Sequence, residues 1–249
     1  MNIHVFGGSG YFGRAFQFQR QLEGDFVTTG RLVDPIPPET DGVVLASWPR
    51  KNDLEHNFQA FSLDIFLENV INAAQRIADR GLPFVFTSSG QAGVGGLYGR
   101  TKEYMEQKLF NLPGFHKVRF GTLFGPSPNM RWDLVVNSML RSALMEGAVY
   151  VSHLEAQRTH CHIRLAIDRV RDLLDSDKPS PASDDVATFT CSMIELAQGI
   201  SQLTHATIRQ QIGISARAAV SYDRPTDVTS AGIATILEFF YEKLENFLE

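Results

Sequence analysis

The chain has 249 residues, 43% of them apolar and 20% charged, and a formal net charge of −5. These values are typical of a soluble globular protein with one large core, and they argue against a nucleic-acid binder because no basic run stands out to neutralise phosphates. Two cysteines are too few for a disulfide scaffold, and no stretch approaches the about 20 apolar residues that span a bilayer, so we expect a cytoplasmic, soluble protein without a signal peptide.

A glycine-rich turn opens the chain. Residues 3–6 predict a short apolar strand that runs into Gly7, Gly10 and Gly13, and an amphipathic helix follows. In a dinucleotide-binding unit the first glycine permits the turn, the second lets the backbone approach a pyrophosphate, and the third lets the helix pack close to the strand. The positive end of the helix dipole then stabilises the phosphate charge.

The second predicted strand ends at Gly30 and Arg31, the position that distinguishes the two nicotinamide dinucleotides. An acidic residue there binds the ribose 2′-hydroxyl of NAD, whereas an arginine accommodates the 2′-phosphate of NADP. Here the acid is missing and Arg31 is present, which favours NADP. The alternative is that Arg31 is an ordinary solvated loop residue.

Residues 34–41 contain three prolines and lead directly into the apolar run at residues 42–47. The prolines exclude regular structure, and the apolar run predicts a buried strand of a parallel sheet. Little room remains for the strand and helix usually found between these two strands, so we expect this half of the fold to be trimmed. Ala46, Ser47 and Trp48 would lie at the carboxyl end of the strand, where cofactors bind in open α/β sheets.

From Asp53 to Arg80, apolar residues recur at helical spacing and predict a long helix that Gly81 ends. Most of this apolar stripe should be core. Its surplus of phenylalanines could also form a dimer face.

The next segments suit acid–base chemistry. Residues 84–89 predict a strand that ends in Ser88 and Ser89, and Tyr98 and Lys102 share one face at the start of the following helix. A free tyrosine loses its proton near pH ~10. A neighbouring ammonium favours the phenolate and lowers the tyrosine pKa towards neutrality. The alternative is an ordinary helix with an exposed lysine and a half-buried tyrosine.

Strands and helices alternate up to about residue 125, which predicts an α/β fold with a doubly wound parallel sheet. We expect a dinucleotide-binding domain over residues 1–125. Residues 126–249 should form a small substrate-binding lobe, mixed with closing elements of the first domain, and should end in a helix from about Ser230. His160 and His162 lie at strand spacing, but no further ligand is evident, so we expect no metal site.

This combination of motifs resembles the extended branch of the short-chain dehydrogenase/reductase superfamily, which contains nucleotide-sugar epimerases, dehydratases and reductases. The motifs are the glycine run at 7–13, Phe-Thr-Ser-Ser at 86–89, Tyr-Gly-Arg-Thr-Lys at 98–102, and Arg-Phe-Gly-Thr-Leu-Phe-Gly-Pro at 119–126. The resemblance implies a Rossmann fold and hydride transfer between NADP(H), with NAD possible, and C4 of a nucleotide-linked sugar. It also implies a homodimer.

The resemblance assigns roles to single residues. Tyr98 would be the acid/base, Lys102 would lower its pKa and hold the nicotinamide ribose, and Ser89 would be the catalytic hydroxyl, with Ser88 as the fallback. Cofactor contacts would come from Gly7, Gly10, Tyr11, Phe12, Gly13, Arg31, Ala46, Ser47, Thr87, Tyr98, Lys102, Phe120, Thr122 and Leu123. Substrate contacts would come from Ser88, Asn137 and Arg158, the last two on the phosphates, unless Arg158 is a plain surface arginine.

Three departures from the family pattern affect the reaction. Only nine positions separate Ser89 from Tyr98, so the sugar pocket should be open or reshaped, and Leu165 stands where an aspartate is common. Gly90 and Gln91 replace the Asp-Glu pair of the 4,6-dehydratases, which leads us to set that reaction aside. We expect a ketoreductase in preference to an epimerase. Arg31 favours NADP, and a reductase that consumes its cofactor commonly uses NADPH. The alternative is a non-catalytic NADP-binding sensor or scaffold of the same fold.

Overall fold

The structure, a computed structural model, describes residues 1–56, 60–94, 96–176, 184–211 and 240–242. The chain divides into two compact units. One contains residues 1–120 and 165–186, and the other contains residues 121–164 and 187–249. None of the helices in the described ranges is long and apolar enough to cross a bilayer.

Strands and helices alternate in the first unit. Its strands are β1 (Asn2–Phe6), β2 (Phe26–Gly30), β3 (Gly42–Leu45), β4 (Phe84–Ser89), β5 (Phe115–Phe120) and the short β9 (Asp185–Val186). Its helices are α1 (Tyr11–Leu22), α2 (Lys51–His56), α3 (Ala60–Asp79) and α4 (Gly96–Leu109), and α6 (Ile163–Leu174) enters it from the second unit. The helix expected over 53–80 is therefore described as α2 and α3, with residues 57–59 outside the described ranges.

All strand pairs in the central sheet are parallel, in the order β2-β1-β3-β4-β5-β9. The sheet is therefore the predicted parallel one. In the usual doubly wound order a third strand lies outside the second. Among the described residues no strand lies outside β2.

The proline-rich loop at residues 31–41 is held by Arg76 of α3 and by Arg80, which directly follows that helix. Arg80 donates to the carbonyls of residues 36–38 at 2.9–3.1 Å, and Arg76 donates to the carbonyl of Leu32. Prolines cannot donate backbone hydrogen bonds, so a loop rich in them forms few of its own and leaves carbonyls that need donors from elsewhere. The guanidinium groups supply them.

In its described residues the second unit has two small sheets, two complete helices and a helical piece at residues 240–242. Its strands are β6 (Thr122–Phe124), β7 (Ala148–Val151), β8 (Gln157–His162), β10 (Phe189–Ser192) and β11 (Thr207–Gln210), and its helices are α5 (Val135–Glu146) and α7 (Met193–Thr204). The sheets have the orders β10-β8-β6 and β11-β7. The helix expected from Ser230 lies outside the described residues except for 240–242.

Candidate active site

The turn between β1 and α1 leaves no room for side chains. A Cβ atom on Gly13 would lie 2.3 Å from the carbonyl oxygen of Gly7. Gly7 has a φ of +90°, and a Cβ atom there would lie 2.5 Å from the backbone nitrogen of Ser47. The two glycines let α1 pack against the turn and let the end of β3 pack beside it. Ala46 and Ser47 thus lie at the glycine turn, as the sequence predicts.

The N-terminus of α1 fits a pyrophosphate. Gly10 is its N-cap in extended conformation and makes no side-chain cap hydrogen bond, and the first turn carries no acid. Backbone N–H groups at such an end are available to an anion, and the helix dipole favours negative charge there. Tyr11 and Phe12 are buried, and Phe12 packs against Phe120 at the end of β5, with ring centroids 5.4 Å apart. Phe12 thus packs the first turn of α1 against the end of β5.

Arg31 lies just after β2 with its side chain 84% exposed, and it pairs with Asp34 at 3.1 Å. The Arg31 backbone N–H also donates to the Asp34 carboxylate at 2.8 Å. These hydrogen bonds and the Arg31 charge lower the pKa of Asp34. The strand does not end in an acid, but Asp34, three residues after Arg31, binds the Arg31 side chain. A 2′-phosphate would therefore compete with Asp34 for Arg31.

Lys102 is almost fully buried, with 2% of its surface exposed. Its Nζ donates to the carbonyl of Thr87 at 2.7 Å and lies 4.0 Å from the ring centroid of Trp48 and 4.6 Å from that of Phe86. Burial lowers the pKa of Lys102 well below its usual value, and the charge of Glu106 partly offsets that shift. The lysine is therefore held by β4 and covered by the indole that follows β3.

The two serines that end β4 differ in surroundings, because successive residues of a strand point to opposite faces. The Ser88 hydroxyl is buried and donates to Glu106 Oε1 at 2.5 Å. The half-buried Ser89 hydroxyl accepts from the backbone N–H of Gln91 at 3.2 Å. Ser88 is thus bound within the protein, whereas Ser89 is the last residue of β4, directly before the loop that leads to Tyr98.

That loop folds back on the first turn of α4, which carries Tyr98. A Cβ atom on Gly99 would lie 2.3 Å from the carbonyl oxygen of Gln91 and 2.6 Å from that of Val94. Gly93 also donates its N–H to the Gly99 carbonyl at 3.3 Å. The absence of a side chain at Gly99 therefore lets the short connection between Ser89 and Tyr98 close.

The remaining predicted site residues belong to the second unit. Asn137 is fully buried: its Oδ1 accepts from the Tyr241 hydroxyl at 2.7 Å and from the Gly125 N–H at 3.3 Å, and its Nδ2 donates to the Arg131 carbonyl at 3.0 Å. Asn137 thus has structural contacts where a phosphate contact was expected. Arg158 is exposed on β8, and Thr122 and Leu123 lie half-buried on β6.

Glu106 is a charged residue of this region that sequence reasoning missed. It is 4% exposed, and it binds Ser88, Lys117 and both nitrogens of the Arg119 fork. A signal was present in the sequence, because Tyr98, Lys102 and Glu106 repeat every four residues and so share a helix face with buried positions. Two charges on a face that packs against a sheet must be paired there.

No protein-family model matches the chain, and no curated protein is similar to it at a significant level. Solved structures do share its fold. RMD from Pseudomonas aeruginosa, complexed with NADPH, has a TM-score of 0.71 and 16% identity over 97% of this chain and 100% of its own. The NAD-dependent NDP-hexosamine 5,6-dehydratase TunA of tunicamycin biosynthesis has a TM-score of 0.68 and 16% identity over 97% of both chains.

The UDP-N-acetylglucosamine 4-epimerase from Bacillus cereus has a TM-score of 0.68 and 15% identity over 97% of this chain and 96% of its own. At these identities the similarity establishes the fold. The chain thus has the Rossmann fold of these enzymes, which confirms the fold that its motifs predicted. Because an epimerase and a dehydratase share that fold, the fold leaves the reaction open.

Proposed function

We propose that the protein is an NAD(P)-dependent oxidoreductase or epimerase that transfers hydride at C4 of a nucleotide-linked sugar, with a ketoreductase favoured over an epimerase. The observation that carries this proposal is the single helix face with Tyr98 and Lys102, held against the serine end of β4 in the same unit as the glycine turn. Proteins of this fold have been solved with NADPH, and with UDP-glucose and NAD.

The nicotinamide, when bound, would supply or accept the hydride. Tyr98 would donate a proton to the keto oxygen of the sugar, or remove it in the reverse direction, and Ser89 would hold that oxygen by its hydroxyl. Lys102 would favour the phenolate of Tyr98 by its charge. Its ammonium lies under Trp48, so the predicted ribose contact requires that indole to move. Ser88 and Asn137 are left out of the proposed substrate site because their polar groups are already bonded, and Arg158 is kept as the phosphate contact.

A panel of sugar nucleotides tests the proposal. We expect one or more of them to raise the melting temperature in the presence of NADPH, and the corresponding 4-keto sugar to be reduced as NADPH absorbance falls. Interconversion of C4 epimers with no net cofactor use would select the epimerase instead. Loss of water from the sugar would restore the dehydratase reaction that the sequence led us to set aside. Cofactor binding without turnover of any member would contradict an enzymatic function.

NADP(H) should bind tighter than NAD(H), because Arg31 can pair with the 2′-phosphate. Arg31→Ala should remove the discrimination, at a cost of about 1–3 kcal/mol for a charge-assisted contact. Asp34→Asn should increase the preference for NADP, since it releases Arg31 from its ion pair. Titration of both cofactors into the three proteins measures these effects, and a clear NAD preference in the wild type would refute the assignment.

A homodimer should form through α3 and α4. On these helices Ile65 and Tyr104 are 43% and 42% exposed, and a groove between the helices is lined by Asp64, Glu68 and Arg100 among others. Opposite charges beside apolar side chains allow the face to complement a second copy of itself. Sedimentation at micromolar concentration should give about twice the monomer mass of 27.8 kDa, and Ile65→Arg should give the monomer. A wild type that stays monomeric throughout would contradict the dimer.

A further inference from the structure

Glu106 lies where three elements of the first unit meet. It is on α4, one helical turn beyond Lys102. It accepts the Ser88 hydroxyl from β4, and from β5 it accepts the Lys117 ammonium at 3.2 Å and the Arg119 guanidinium at 2.9 and 2.7 Å. Burial disfavours its charge, but the bonds from Arg119 and Ser88 and the charges of Lys117 and Arg119 outweigh burial and lower the pKa of Glu106. The carboxylate is therefore ionised and has donors on both oxygens.

The same helix face holds β4 at two successive positions. Lys102 binds the Thr87 carbonyl and Glu106 binds the Ser88 hydroxyl, so two side chains one turn apart hold two consecutive residues of the strand. The next residue is Ser89, and the turn of α4 before Lys102 carries Tyr98. The separation between the Ser89 and Tyr98 segments is thus set by this pair of contacts.

The charge of the Glu106 carboxylate affects the protonation of Lys102. The described groups that face Lys102 are the Thr87 carbonyl and the Phe86 ring of β4, the Trp48 indole and Glu106 of its own helix. Lys117 and Arg119 share the Glu106 carboxylate, and Asp185 and Glu103 act on Arg119. Without Glu106, burial would act on the Lys102 ammonium with no offset from that carboxylate, which disfavours its charged form.

We propose that Glu106 is a positioning residue for catalysis: it fixes the end of β4 against α4, and it keeps the buried Lys102 charged so that Lys102 can act on Tyr98. The proposal rests on the proposed function for the roles of Tyr98 and Ser89. Its electrostatic part concerns the protein without cofactor or substrate, and it can be measured without turnover.

The first experiment measures the titration of Lys102 by NMR in protein labelled at the lysine Cε, with the signal assigned by its loss in Lys102→Met. Glu106→Gln, which keeps shape and removes charge, should lower the Lys102 midpoint by about one pH unit or more. Glu103→Gln is the matched control, since it removes a partly exposed carboxylate from the same helix, and it should leave the midpoint unchanged. An unchanged midpoint in Glu106→Gln overturns the proposal.

The second experiment measures the kinetics of Ser88→Ala. It tests the positioning role of Glu106 even if Glu106→Gln does not fold. Ser88→Ala keeps the charge of Glu106 and removes its bond to β4, so kcat should fall about threefold to tenfold, with cofactor affinity and melting temperature little changed. Normal kcat in this variant overturns the positioning role. Where Glu106→Gln folds, the rate of alcohol oxidation, in which Tyr98 is the base, should reach half its maximum about one pH unit higher. If no sugar nucleotide is turned over, the proposed function fails while the NMR titration still tests Glu106.

Discussion

Turnover should fall by about 10²–10⁴-fold when Tyr98 is replaced by phenylalanine, which is the usual effect of removing a positioned acid or base. The substitution removes the transferable proton and keeps the ring. Cofactor affinity should change little, because the glycine turn and the Arg31 region are untouched. Steady-state kinetics with the sugar nucleotide found in the panel, together with cofactor titration, measures both effects. Tyr150→Phe, on β7 of the second unit, is the matched control and should be fully active.

Substitutions of Lys102 and Ser89, the other two proposed catalytic residues, should affect the kinetics in different ways. Lys102→Met removes a charge and, on the proposed mechanism, a ribose contact, so cofactor affinity should fall along with turnover. Ser89→Ala should lower turnover less than Tyr98→Phe does, because it removes a hydrogen bond and leaves the proton donor. Normal turnover by Tyr98→Phe would instead show that Tyr98 and Lys102 have only a structural role. A cofactor-binding sensor would then be the better interpretation.

The free energy of unfolding should fall steeply between about pH 6.5 and pH 4. Burial lowers the pKa of both His160 and His162 from 6.5 to about 4, helped by the charges of Arg158 and Arg164 respectively. In this window the unfolded chain binds a proton at each histidine and the folded chain does not, so stability is lost as the pH falls. The expected loss is about 2 kcal/mol per histidine at pH 5 and about 3 kcal/mol at pH 4.

Urea denaturation at several pH values measures this loss, and His160→Leu isolates one histidine. The two ring nitrogens of His160 have no hydrogen-bond partner in the described part of the chain, and the ring packs against Phe189 with centroids 5.1 Å apart. An apolar side chain should be accommodated there and should reduce the slope between pH 5 and 6 by about 1.2 kcal/mol per pH unit. His153→Asn, at an exposed position with φ of 50°, should keep the full slope. Equal slopes in all three proteins would refute the assignment.

Carboxylates act at the acidic end of this window and below it. Asp25, Asp34, Glu106 and Glu195 all have pKa values lowered from 3.8 or 4.5 by hydrogen bonds and nearby charges. The stability that they contribute is fully present above those ordinary values and is lost only as the pH falls towards the lower folded ones. The slope above pH 5 therefore reports on the buried histidines.

Local signals predicted much of the first unit. The glycine turn, the apolar strands and the tyrosine–lysine spacing each depend on residues close together in the chain, and the parallel sheet follows from their alternation. The loop at residues 31–41 could also be predicted, because three prolines exclude a strand whatever surrounds them.

The surroundings of single site residues depend on distant parts of the chain and could not be predicted. Lys102 was expected to hold the nicotinamide ribose, but its cover by the indole of Trp48, 54 positions earlier in the sequence, could not be predicted. Asn137 looked like a phosphate ligand, yet it binds Tyr241, which lies 104 residues later. Glu106 receives its partners from two strands, and no spacing within α4 shows them. Periodicity gives the face on which a residue lies, whereas its partner is set by tertiary packing.

The arginine-held loop of the first unit has a consequence for how the sequence can vary. Its path is maintained by bonds from Arg76 and Arg80 to main-chain oxygens, which every amino acid possesses. Substitutions within residues 35–39 therefore leave the acceptors in place, whereas loss of either arginine removes donors that no loop residue can replace. Substitutions should therefore accumulate in the loop itself, and selection should act on Arg76 and Arg80, which lie more than 40 residues downstream.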